Sequence, residues 1–371
     1  MIHQLKLHNF KALRDVTIDL ERFSVLVGPN GSGKTSILQG LFYLADATGH
    51  MKLEDVLGGV QNALALVSAG SNRDMFLHCD DDRGWVRVSK DSGSEFATNP
   101  VGLRSLGEMR VKETGEKALL GIEIGGESAG TLRLGPALFL RLDTREIIAP
   151  SYSDEPVPRL SSAGAGLASV LSYMATDQPD AFAGLLESLR SVIPFVQNIR
   201  FPRAQVVRPE SETITVDGKT FTRQGERVYW GNSIEFDFQG APRIPADMVS
   251  EGTLLVLALL TALMSPTRPQ LLLLDDMDRA LHPKAQRDLV SLLRSLLEQE
   301  SDLQIVATSH SPYLLDLMRP EEVRLTTLRD DGSVACARLD EHPEFEKWKE
   351  TMAPGEFWSF VGEQWVTEVV R

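Results

Sequence analysis

The order of apolar and polar residues along the first fifty positions predicts three β-strands followed by a helix. Strands are expected at residues 2–7, 16–20 and 23–27, where apolar side chains alternate with polar ones or form a short unbroken run. A glycine-rich loop follows the third strand, and a helix is predicted from residue 34 to about residue 46. This succession is typical of the opening of an α/β domain.

The middle of the chain changes character twice. Residues 75–142 contain short alternating runs separated by glycines, which predict an antiparallel sheet beside the first strands. Residues 145–239 combine a loop rich in Pro, Ser and Gly with two helical patterns, at 167–174 and 181–191, and further short strands. Apolar heptads do not persist through this segment, so we expect a compact inserted α+β arm rather than a long coiled coil.

Two strand–helix units follow near the end of the chain. Unbroken apolar strands are predicted at residues 271–274 and 304–308, with helices at 284–297 and 312–318. Strands of this kind belong to a buried parallel sheet. We therefore divide the chain into four parts. These are a first α/β lobe with its antiparallel sheet at 1–144, the arm at 145–239, a second lobe at 240–335 and a C-terminal helical segment at 336–371.

Composition and charge narrow the class of protein. The chain has 371 residues, of which 42% are hydrophobic, and a net charge of -14, so it can bury a sizeable core and any contact with nucleic acid must be local. Its longest uncharged apolar stretch, at 254–264, is well short of the ~20 residues that cross a bilayer, and no membrane span is expected. Cys79 and Cys336 are far apart, and the N-terminus does not read as a signal peptide, so we expect a cytoplasmic protein.

The strongest chemical signal is the glycine-rich loop between the third strand and the first helix. Its residues match a P-loop in the strand–loop–helix setting that the motif requires. They are Gly28, Pro29, Asn30, Gly31, Ser32, Gly33, Lys34 and Thr35, with Ser36 next in the helix. Glycines let backbone N–H groups converge on phosphate oxygens, the lysine neutralises charge, and the threonine hydroxyl can ligate Mg²⁺. The alternative is a glycine-rich turn before an ordinary helix, and the complete match in context disfavours it.

Two acidic residues follow the apolar strand at 271–274. Asp275 and Asp276 end a parallel strand at the edge where α/β proteins bind ligands, which is the Walker B arrangement. Asp275 would hold Mg²⁺, directly or through water, and Asp276 would orient or deprotonate the attacking water. Taken alone, two Asp residues after leucines could equally be a solvated strand end. The upstream P-loop favours the catalytic interpretation.

Two further motifs carry candidate polar groups. His310 follows the strand at 304–308, at the rim of the predicted sheet, where it could hydrogen-bond the γ-phosphate or the attacking water. Ser250, Gly252 and Thr253 precede an apolar helix, whose free N–H groups and hydroxyls could bind an anion. The structural alternative for His310 is a loop histidine whose hydrogen bonds are made within the protein. For Ser250 to Thr253 it is an ordinary helix cap. The neighbouring motifs favour a functional role for His310.

Together, these motifs resemble those of ABC-type ATPases, in particular the branch that includes RecF-like, SMC-related and overcoming-lysogenization-defect (OLD) ATPases. The resemblance rests on five ordered segments near both ends of the chain and leaves the middle uncovered. They are LHNFK at 7–11, GPNGSGKTS at 28–36, SEGT at 250–253, LLLLDDMDRALHP at 271–283 and TSHSPYLL at 308–315. The resemblance implies an α/β P-loop NTPase fold and the binding and hydrolysis of ATP with Mg²⁺.

In this family two heads sandwich two ATP molecules, and the signature serine and helix N-terminus of one subunit touch the γ-phosphate held by the other. By resemblance, Ser250, Gly252 and Thr253 would act across an ATP-dependent homodimer. One departure matters, since family members usually carry Glu where this chain has Asp276. Because catalytic geometry tolerates little displacement, we expect slow turnover, with ATP binding and dimer closure as the main output.

Three functions fit such an ATPase. The first is a DNA-associated ATPase of repair or phage defence, which on dimerising switches a partner effector protein or clamps DNA. The second is the ATP-binding subunit of a membrane transporter, against which the SEGT signature and the large arm weigh. The third is a nuclease, because OLD proteins append a metal-dependent catalytic domain, but we expect residues 311–371 to leave no room for that domain.

Two groups of residues have both a functional and a structural interpretation. Basic residues of the arm could form a local face for DNA, but acidic residues interleave with them, which favours solvated strands. They are Arg200, Arg203, Arg208, Lys219, Arg223 and Arg227. Trp348, Trp358 and Trp365 are expected to pack a C-terminal helix onto the ATPase rather than to dock a partner.

Overall fold

The chain folds as two compact units. Met1–Phe139 and Pro269–Arg371 form the first unit, and Leu140–Arg268 forms the second. The computed structural model describes the backbone of residues 1–49, 75–81, 84–91, 103–110, 117–125, 135–216 and 219–370. Side chains are described for residues 1–45, 135–210 and 224–370.

Both units contain strands and helices, which are numbered here in chain order. The described strands are β1 (Ile2–Phe10), β2 (Leu13–Asp19), β3 (Phe23–Val27), β4 (Met75–Asp81), β5 (Gly84–Asp91), β6 (Leu103–Arg110), β7 (Lys117–Gly125), β8 (Ala137–Leu140), β9 (Val196–Arg200), β10 (Arg203–Val216), β11 (Lys219–Asn232), β12 (Glu235–Phe238), β13 (Ala241–Pro245), β14 (Leu271–Leu274), β15 (Gln304–Thr308), β16 (Val323–Leu328) and β17 (Val334–Arg338). The described helices are α1 (Lys34–Gly49), α2 (Thr144–Ile148), α3 (Leu167–Asp177), α4 (Pro179–Val192), α5 (Glu251–Met264), α6 (Pro283–Gln299), α7 (Pro312–Leu315), α8 (Phe345–Trp348), α9 (Pro354–Val361) and α10 (Val366–Val369). Single 3₁₀ turns lie at Ala246–Met248, Pro320–Glu322 and Leu339–Glu341.

An antiparallel sheet begins the first unit. Its strands run in the order β2-β1-β4-β5-β7-β6, so the two N-terminal strands lie at one edge. Leu7 of β1 is opposite Val16 of β2 on one side and Leu77 of β4 on the other. Leu5 and Leu7 are fully buried and Lys6 between them is not, as the alternation in the sequence predicted. The antiparallel sheet expected within residues 75–142 is therefore confirmed.

The second sheet of this unit ends in the candidate motifs. Its strand order is β17-β16-β3-β15-β14-β8. The strands β16, β3, β15 and β14 pair in parallel, and β17 is antiparallel to β16. Every residue of β3, β14 and β15 is buried, as the unbroken apolar runs predicted for a parallel sheet. The carboxyl ends of these three strands meet at one edge, and this edge positions the site.

The helix α7 is shorter than its sequence pattern predicted. The pattern indicated a helix over 312–318, whereas the structure has Pro312–Leu315. Beyond Leu315 the backbone tightens into i→i+3 hydrogen bonds, from Leu317 to Leu314 and from Met318 to Leu315. The carboxylate of Asp316 accepts a hydrogen bond from the N–H of Gly355, so this turn is tied to the C-terminal segment instead of continuing as a helix.

The second unit is built around the apolar helix α5. This helix buries every residue from Gly252 to Leu263, and α4, α3 and α2 pack against it. A three-stranded sheet of order β13-β12-β9 and a long two-stranded ribbon of β10 and β11 complete the unit. No helix in the described part of the chain is long and apolar enough to span a membrane.

The boundaries of the two units differ from those of the four predicted parts. Residues 240–268, which the sequence analysis placed in the second lobe, belong to the same compact unit as the arm. The reason is the packing of α5 against helices that precede it in the arm. The assignment of separate roles to the four parts stays a prediction.

Candidate functional site

The glycine-rich loop lies between β3 and α1, against the neighbouring strand β16. Gly28 and Gly33 have positive φ values of 143° and 91°. A β-carbon on Gly28 would lie 2.1 Å from the carbonyl oxygen of Thr326, so no side chain fits there. Glycine at this position lets the loop fold closely over the edge of the sheet.

Lys34, the first residue of α1, folds back over the loop. Its Nζ donates hydrogen bonds to the carbonyl oxygens of Gly28 and Pro29, both at 2.9 Å. Burial lowers the pKa of Lys34 below its usual value. Three nearby carboxylates oppose this effect, those of Asp276, Asp275 and Glu363. The ammonium is therefore held inside the loop, where it could meet a phosphate group.

The first acid of the Walker B motif lies beside the loop. Thr35 Oγ1 is 3.1 Å from each carboxylate oxygen of Asp275, and the hydroxyl of Thr308 at the end of β15 donates to Asp275 Oδ1 at 2.8 Å. Hydroxyl and carboxylate oxygens suit Mg²⁺, which usually takes only one or two protein ligands beside phosphate and water. Thr35 and Asp275 therefore fit the predicted metal. Among the described residues, no group of three or more His, Cys, Asp or Glu could hold a metal ion.

Asp276 and His310 lie across from each other at the same edge. Asp276 Oδ1 is 3.9 Å from His310 Nε2. The backbone N–H of Asp276 donates to Thr308 Oγ1 at 2.8 Å, so this one hydroxyl contacts both acids. Asp276 has a φ of 55°, a left-handed conformation that Asp adopts more readily than most residues. The backbone conformation at this position is therefore better suited to Asp than to Glu. No sequence pattern predicted this conformation.

Thr326 is a site residue that sequence reasoning missed. From β16, its Oγ1 donates to the carbonyl oxygen of Val27 at 3.0 Å and lies 2.6 Å from Ser32 Oγ. Both partners belong to the strand and loop that form the P-loop, and all three side chains are buried. One Thr in a short strand carries no motif signal, so only the pairing of β16 with β3 reveals its contact.

The C-terminal segment also reaches the site. The helix α9 is fixed to α7 through the hydrogen bond from Gly355 to Asp316, and the indole N–H of Trp358 donates to Glu363 Oε1 at 2.9 Å. Glu363 is one of the acids whose charge acts on Lys34. Trp365 is buried, in agreement with the packing role that was expected of it.

The signature-like residues lie in the second unit, at the start of α5. Ser250 is the N-cap of this helix, and its Oγ accepts a hydrogen bond from the backbone N–H of Thr253 at 3.4 Å. The hydroxyls of Ser250 and Thr253 are 2.8 Å apart. Gly252 and Thr253 are buried. The local geometry is that of a capped helix, and a role across a dimer stays a prediction.

The basic residues of the arm whose side chains are described lie on different strands, with Arg200 on β9 and Arg203, Arg208 and Arg227 on the β10–β11 ribbon. Arg200 on β9 is held by Asp237, with its Nε at 2.8 and 3.0 Å from the two carboxylate oxygens. This hydrogen-bonded pair holds the pKa of Asp237 below its usual value. Arg200 is therefore committed to an ion pair within its own sheet.

Two other arginines of this set lie side by side on the ribbon. Arg208 on β10 is directly opposite Arg227 on β11, and their guanidinium groups lie 5.8 and 5.3 Å from the ring of Tyr229. The side chains of Lys219 and Arg223 lie outside those that the structure describes.

Comparison with known proteins identifies the family. A family model described as "AAA domain, putative AbiEii toxin, Type IV TA system" matches residues 123–316, more than half of the chain. A second, described as "AAA ATPase domain", matches residues 1–92. An OLD nuclease from Thermus scotoductus is 23% identical over 368 residues, a match that covers 92% of this chain and 65% of that protein. The chain thus spans about two thirds of the length of this relative.

Solved structures of SMC heads share the fold. One, an SMC head bound to the C-terminal winged-helix domain of ScpA, has a TM-score of 0.50 at 14% identity and covers 92% of this chain and 98% of its own. Another, an SMC head from Pyrococcus furiosus with an extended coiled coil, is bound to the C-terminal domain of ScpA. It has a TM-score of 0.51 at 12% identity and covers 94% and 99% of the two chains. The chain therefore belongs to the AAA-domain family of the first model, and it is a P-loop ATPase that is similar in sequence to an OLD nuclease and in fold to SMC heads.

Proposed function

We propose that this chain binds ATP with Mg²⁺ and hydrolyses it slowly, and that ATP-driven homodimerisation switches a partner or a DNA-associated process of repair or phage defence. The observation that carries the proposal is the meeting of Lys34, Thr35 and Asp275 at one sheet edge. A buried cation, a hydroxyl and a carboxylate at this spacing are what a magnesium-bound triphosphate requires.

The loop would hold the phosphates mainly through its backbone. Glycines at 28 and 33 allow the positive φ values with which the loop can turn backbone N–H groups towards an anion, and the N-terminus of α1 adds positive potential. Lys34 would exchange its two carbonyl partners for phosphate oxygens. Thr35 and Asp275 would hold Mg²⁺, which when bound neutralises charge that develops on the phosphate.

Hydrolysis would depend on Asp276 and His310. Asp276 would hold and orient the attacking water, and His310 would hydrogen-bond the water or the γ-phosphate. The carboxylate of Asp276 is one methylene shorter than that of Glu, and its backbone conformation disfavours the longer residue. Because a small displacement of a general base lowers the rate strongly, this geometry supports the proposed slow turnover.

Dimerisation would bring a second copy's α5 to the bound nucleotide. Ser250 caps the N–H of Thr253 with its hydroxyl, and the first turn at Gly252 and Thr253 lies at a helix N-terminus, where the helix dipole is positive. Such an N-terminus favours an anion, and the γ-phosphate of a facing subunit is the anion that the family resemblance indicates. These residues would make the site composite.

The relatives guide the choice of process. One relative is named a nuclease, and the two SMC heads are bound to domains of ScpA. These names support a partner effector protein or DNA as the target of the switch. A cytoplasmic location, inferred from the cysteine usage, stays part of the proposal.

The catalytic part is tested with Asp276→Asn, since Asn also tolerates the left-handed backbone and removes only the charge. We expect ATP binding to persist, single-turnover hydrolysis to fall about a hundredfold or more, and an ATP-bound dimer to accumulate in light scattering. Fast single-turnover hydrolysis by the unaltered protein would contradict the slow rate, and unchanged hydrolysis by the variant would remove Asp276 from the site.

The dimer is tested at Ser250 with two variants that both cap helices well. Ser250→Asp places a negative charge where the γ-phosphate is expected, and Ser250→Asn is neutral. We expect the Asp variant to abolish the ATP-dependent increase in mass while the Asn variant retains part of it. Equal behaviour of the two variants, or no change of mass with ATP in the parent, would exclude the composite site.

A further inference from the structure

The second unit contains a cleft of about 320 Å³ at the root of the β10–β11 ribbon. One wall is the helix α3, and the other is formed by the ribbon and by the segment around Ser151, which pairs with Asn232 of β11 through two backbone hydrogen bonds. Its size falls within the ~300–1,000 Å³ that is usual for small-ligand sites. Nothing in the P-loop chemistry uses this cleft.

An exposed tryptophan forms part of the ribbon wall. The side chain of Trp230 is 56% exposed although it lines the cleft, and Tyr173 of α3 lines it as well. Trp residues are usually well buried, so an indole left open beside a cavity provides a free aromatic face. The neighbouring strand position is rigid, because Tyr229 on the other face of the ribbon stacks on Tyr152 with ring centroids 4.8 Å apart.

The cleft also contains an uncommitted cation. Arg208 and Arg227 pair with Asp154 and Glu210, at 3.9 and 3.3 Å. Arg203 lines the cleft, is exposed, and makes no ion pair within the part of the chain that the structure describes. Its guanidinium is therefore free to meet an anionic group of a ligand.

The floor of the cleft is polar and ordered. Ser151 and Ser169 are buried and their hydroxyl oxygens are 2.8 Å apart, and Ser151 Oγ also accepts the backbone N–H of Ser169. Asn232 and Ser172 add an amide and a hydroxyl to the lining. Groups of this kind can both donate and accept hydrogen bonds, as the edges of nucleobases and sugar hydroxyls require.

We propose that this cleft binds a nucleotide, either one unit of a single-stranded nucleic acid or a free mononucleotide. The base stacks on Trp230, the phosphate meets Arg203, and the polar floor contacts the edge of the base and the sugar. The lining also contains Asp177 at the end of α3, whose carboxylate can accept a hydrogen bond from an amino group of the base or from a sugar hydroxyl. An aromatic face, a free guanidinium and these polar groups within one cleft match a ligand that has an aromatic, an anionic and a polar part. A peptide ligand fits less well, because it does not carry an aromatic base and a phosphate at a regular spacing.

The proposal is tested by fluorescence anisotropy with a labelled oligodeoxyadenylate. The full chain is first loaded with a non-hydrolysable ATP analogue, and gel filtration then removes the free analogue, so that the P-loop is occupied and no free nucleotide competes at the cleft. Trp230→Ala is expected to weaken binding about tenfold, as loss of a stacked base does, and Trp230→Phe to retain most of the affinity. Arg203→Ala is expected to weaken binding and to reduce the slope of log affinity against log salt by about 0.7.

Matched controls use exposed residues of the same unit that do not line the cleft. Phe195→Ala removes an aromatic side chain that is 67% exposed, and Arg145→Ala removes an exposed cation on α2. Both controls are expected to bind the oligonucleotide as the parent does. Circular dichroism and ATP-analogue binding show whether each variant is folded.

Displacement with deoxyadenosine monophosphate distinguishes the two sources of the ligand. Displacement at concentrations near those of the oligonucleotide identifies a mononucleotide site, and its absence identifies a strand site. No binding by the folded parent, or an equal loss of binding in cleft and control variants, overturns the proposal. Since the P-loop is occupied throughout, these outcomes do not depend on the hydrolysis rate or on dimerisation.

Discussion

The P-loop edge and the arm cleft offer positive charge to a ligand in opposite ways. At the P-loop edge, Lys34 is buried and its Nζ is held by backbone carbonyls within the same loop. In the cleft, Arg203 is exposed and stands beside the open face of Trp230. The first arrangement depends on the conformation of a few consecutive residues, and the second depends on how a helix and a ribbon pack.

This difference separates tight, charge-based recognition from recognition by surface shape. A buried lysine surrounded by backbone dipoles attracts a phosphate more strongly than an exposed guanidinium does, because water screens the charge of the exposed group. An exposed aromatic face can contact the base of a nucleotide, whereas the P-loop contacts only its phosphates. Variants at the P-loop should therefore have larger effects than variants in the cleft, and effects at each place should leave the other unchanged.

The largest effect is expected from Lys34→Ala. Loss of the buried ammonium should lower ATP affinity at least about a hundredfold and abolish hydrolysis, because nothing else inside the loop neutralises the phosphates. Isothermal titration with ATP and magnesium measures this. Lys347→Ala, which removes an exposed lysine paired with Glu344, serves as the control. Oligonucleotide binding at the cleft should not change, and a loss there would show that the two regions are not independent.

Gly28→Ala should destabilise the first unit through a steric clash. Its β-carbon would lie 2.1 Å from the Thr326 carbonyl oxygen, so the loop must move away from β16. Gly332→Ala is the control, because Gly332 also has positive φ, 74°, and no atom lies within 4 Å of its β-carbon. Gly332→Ala should lower the free energy of unfolding by only the ~1–2 kcal/mol that a left-handed backbone conformation costs a residue with a β-carbon. Gly28→Ala should lower it by about 2 kcal/mol more, because of the clash. Urea unfolding and ATP titration of both variants test this, and equal costs would contradict the close approach.

Thr326→Val should weaken ATP binding about tenfold without a large loss of stability elsewhere. The change removes the hydroxyl that contacts Ser32 and Val27, and a buried polar group left without its partner costs ~1–3 kcal/mol. Thr261→Val is the matched control, since Thr261 is also fully buried and its hydroxyl bonds only Leu257 in its own helix. If both variants lower ATP affinity equally, Thr326 does not position the loop.

The smallest effect is the response to alkaline pH. Burial lowers the pKa of Lys34 below the usual 10.5, so its positive charge is lost at a lower pH than that of an exposed lysine, as the pH rises through that lowered value. ATP affinity should fall in that range, while binding to the cleft should stay constant because the Arg203 guanidinium remains charged. Glu363→Gln removes one carboxylate that favours the ammonium, so the fall should begin at lower pH. An ATP affinity that is independent of pH up to about 10 would contradict the shift.

The P-loop could be predicted from the sequence because its chemistry is local. Gly28 to Thr35 are consecutive, and the strand before them and the helix after them follow from short-range patterns. The bounds of β3, β14 and β15 were predicted residue by residue for the same reason. The helix after His310 was predicted too long, since its end is set by a contact between Asp316 and Gly355, far along the chain.

The cleft and the supports of the P-loop could not be predicted. Thr326 and Glu363 reach the site only because β16 pairs with β3 and α9 packs on α7. A basic face shared by Arg203 and Arg200 was the less favoured interpretation of the sequence, and Arg200 is bound by Asp237 on a neighbouring strand. Whether a charged side chain is free or forms an ion pair depends on which strands pair with each other. Amino-acid composition does not predict this pairing.

The sequence by itself determined that this chain is a P-loop ATPase, because a contiguous loop, two acids after an apolar strand and a histidine after another carry that chemistry at fixed spacing. The tertiary structure alone decided which hydroxyl joins Asp275 to Asp276, which strand supports the loop, and which tryptophan stays open beside a free arginine. The physical reason is distance along the chain: backbone conformation is local, whereas packing joins residues that no pattern relates.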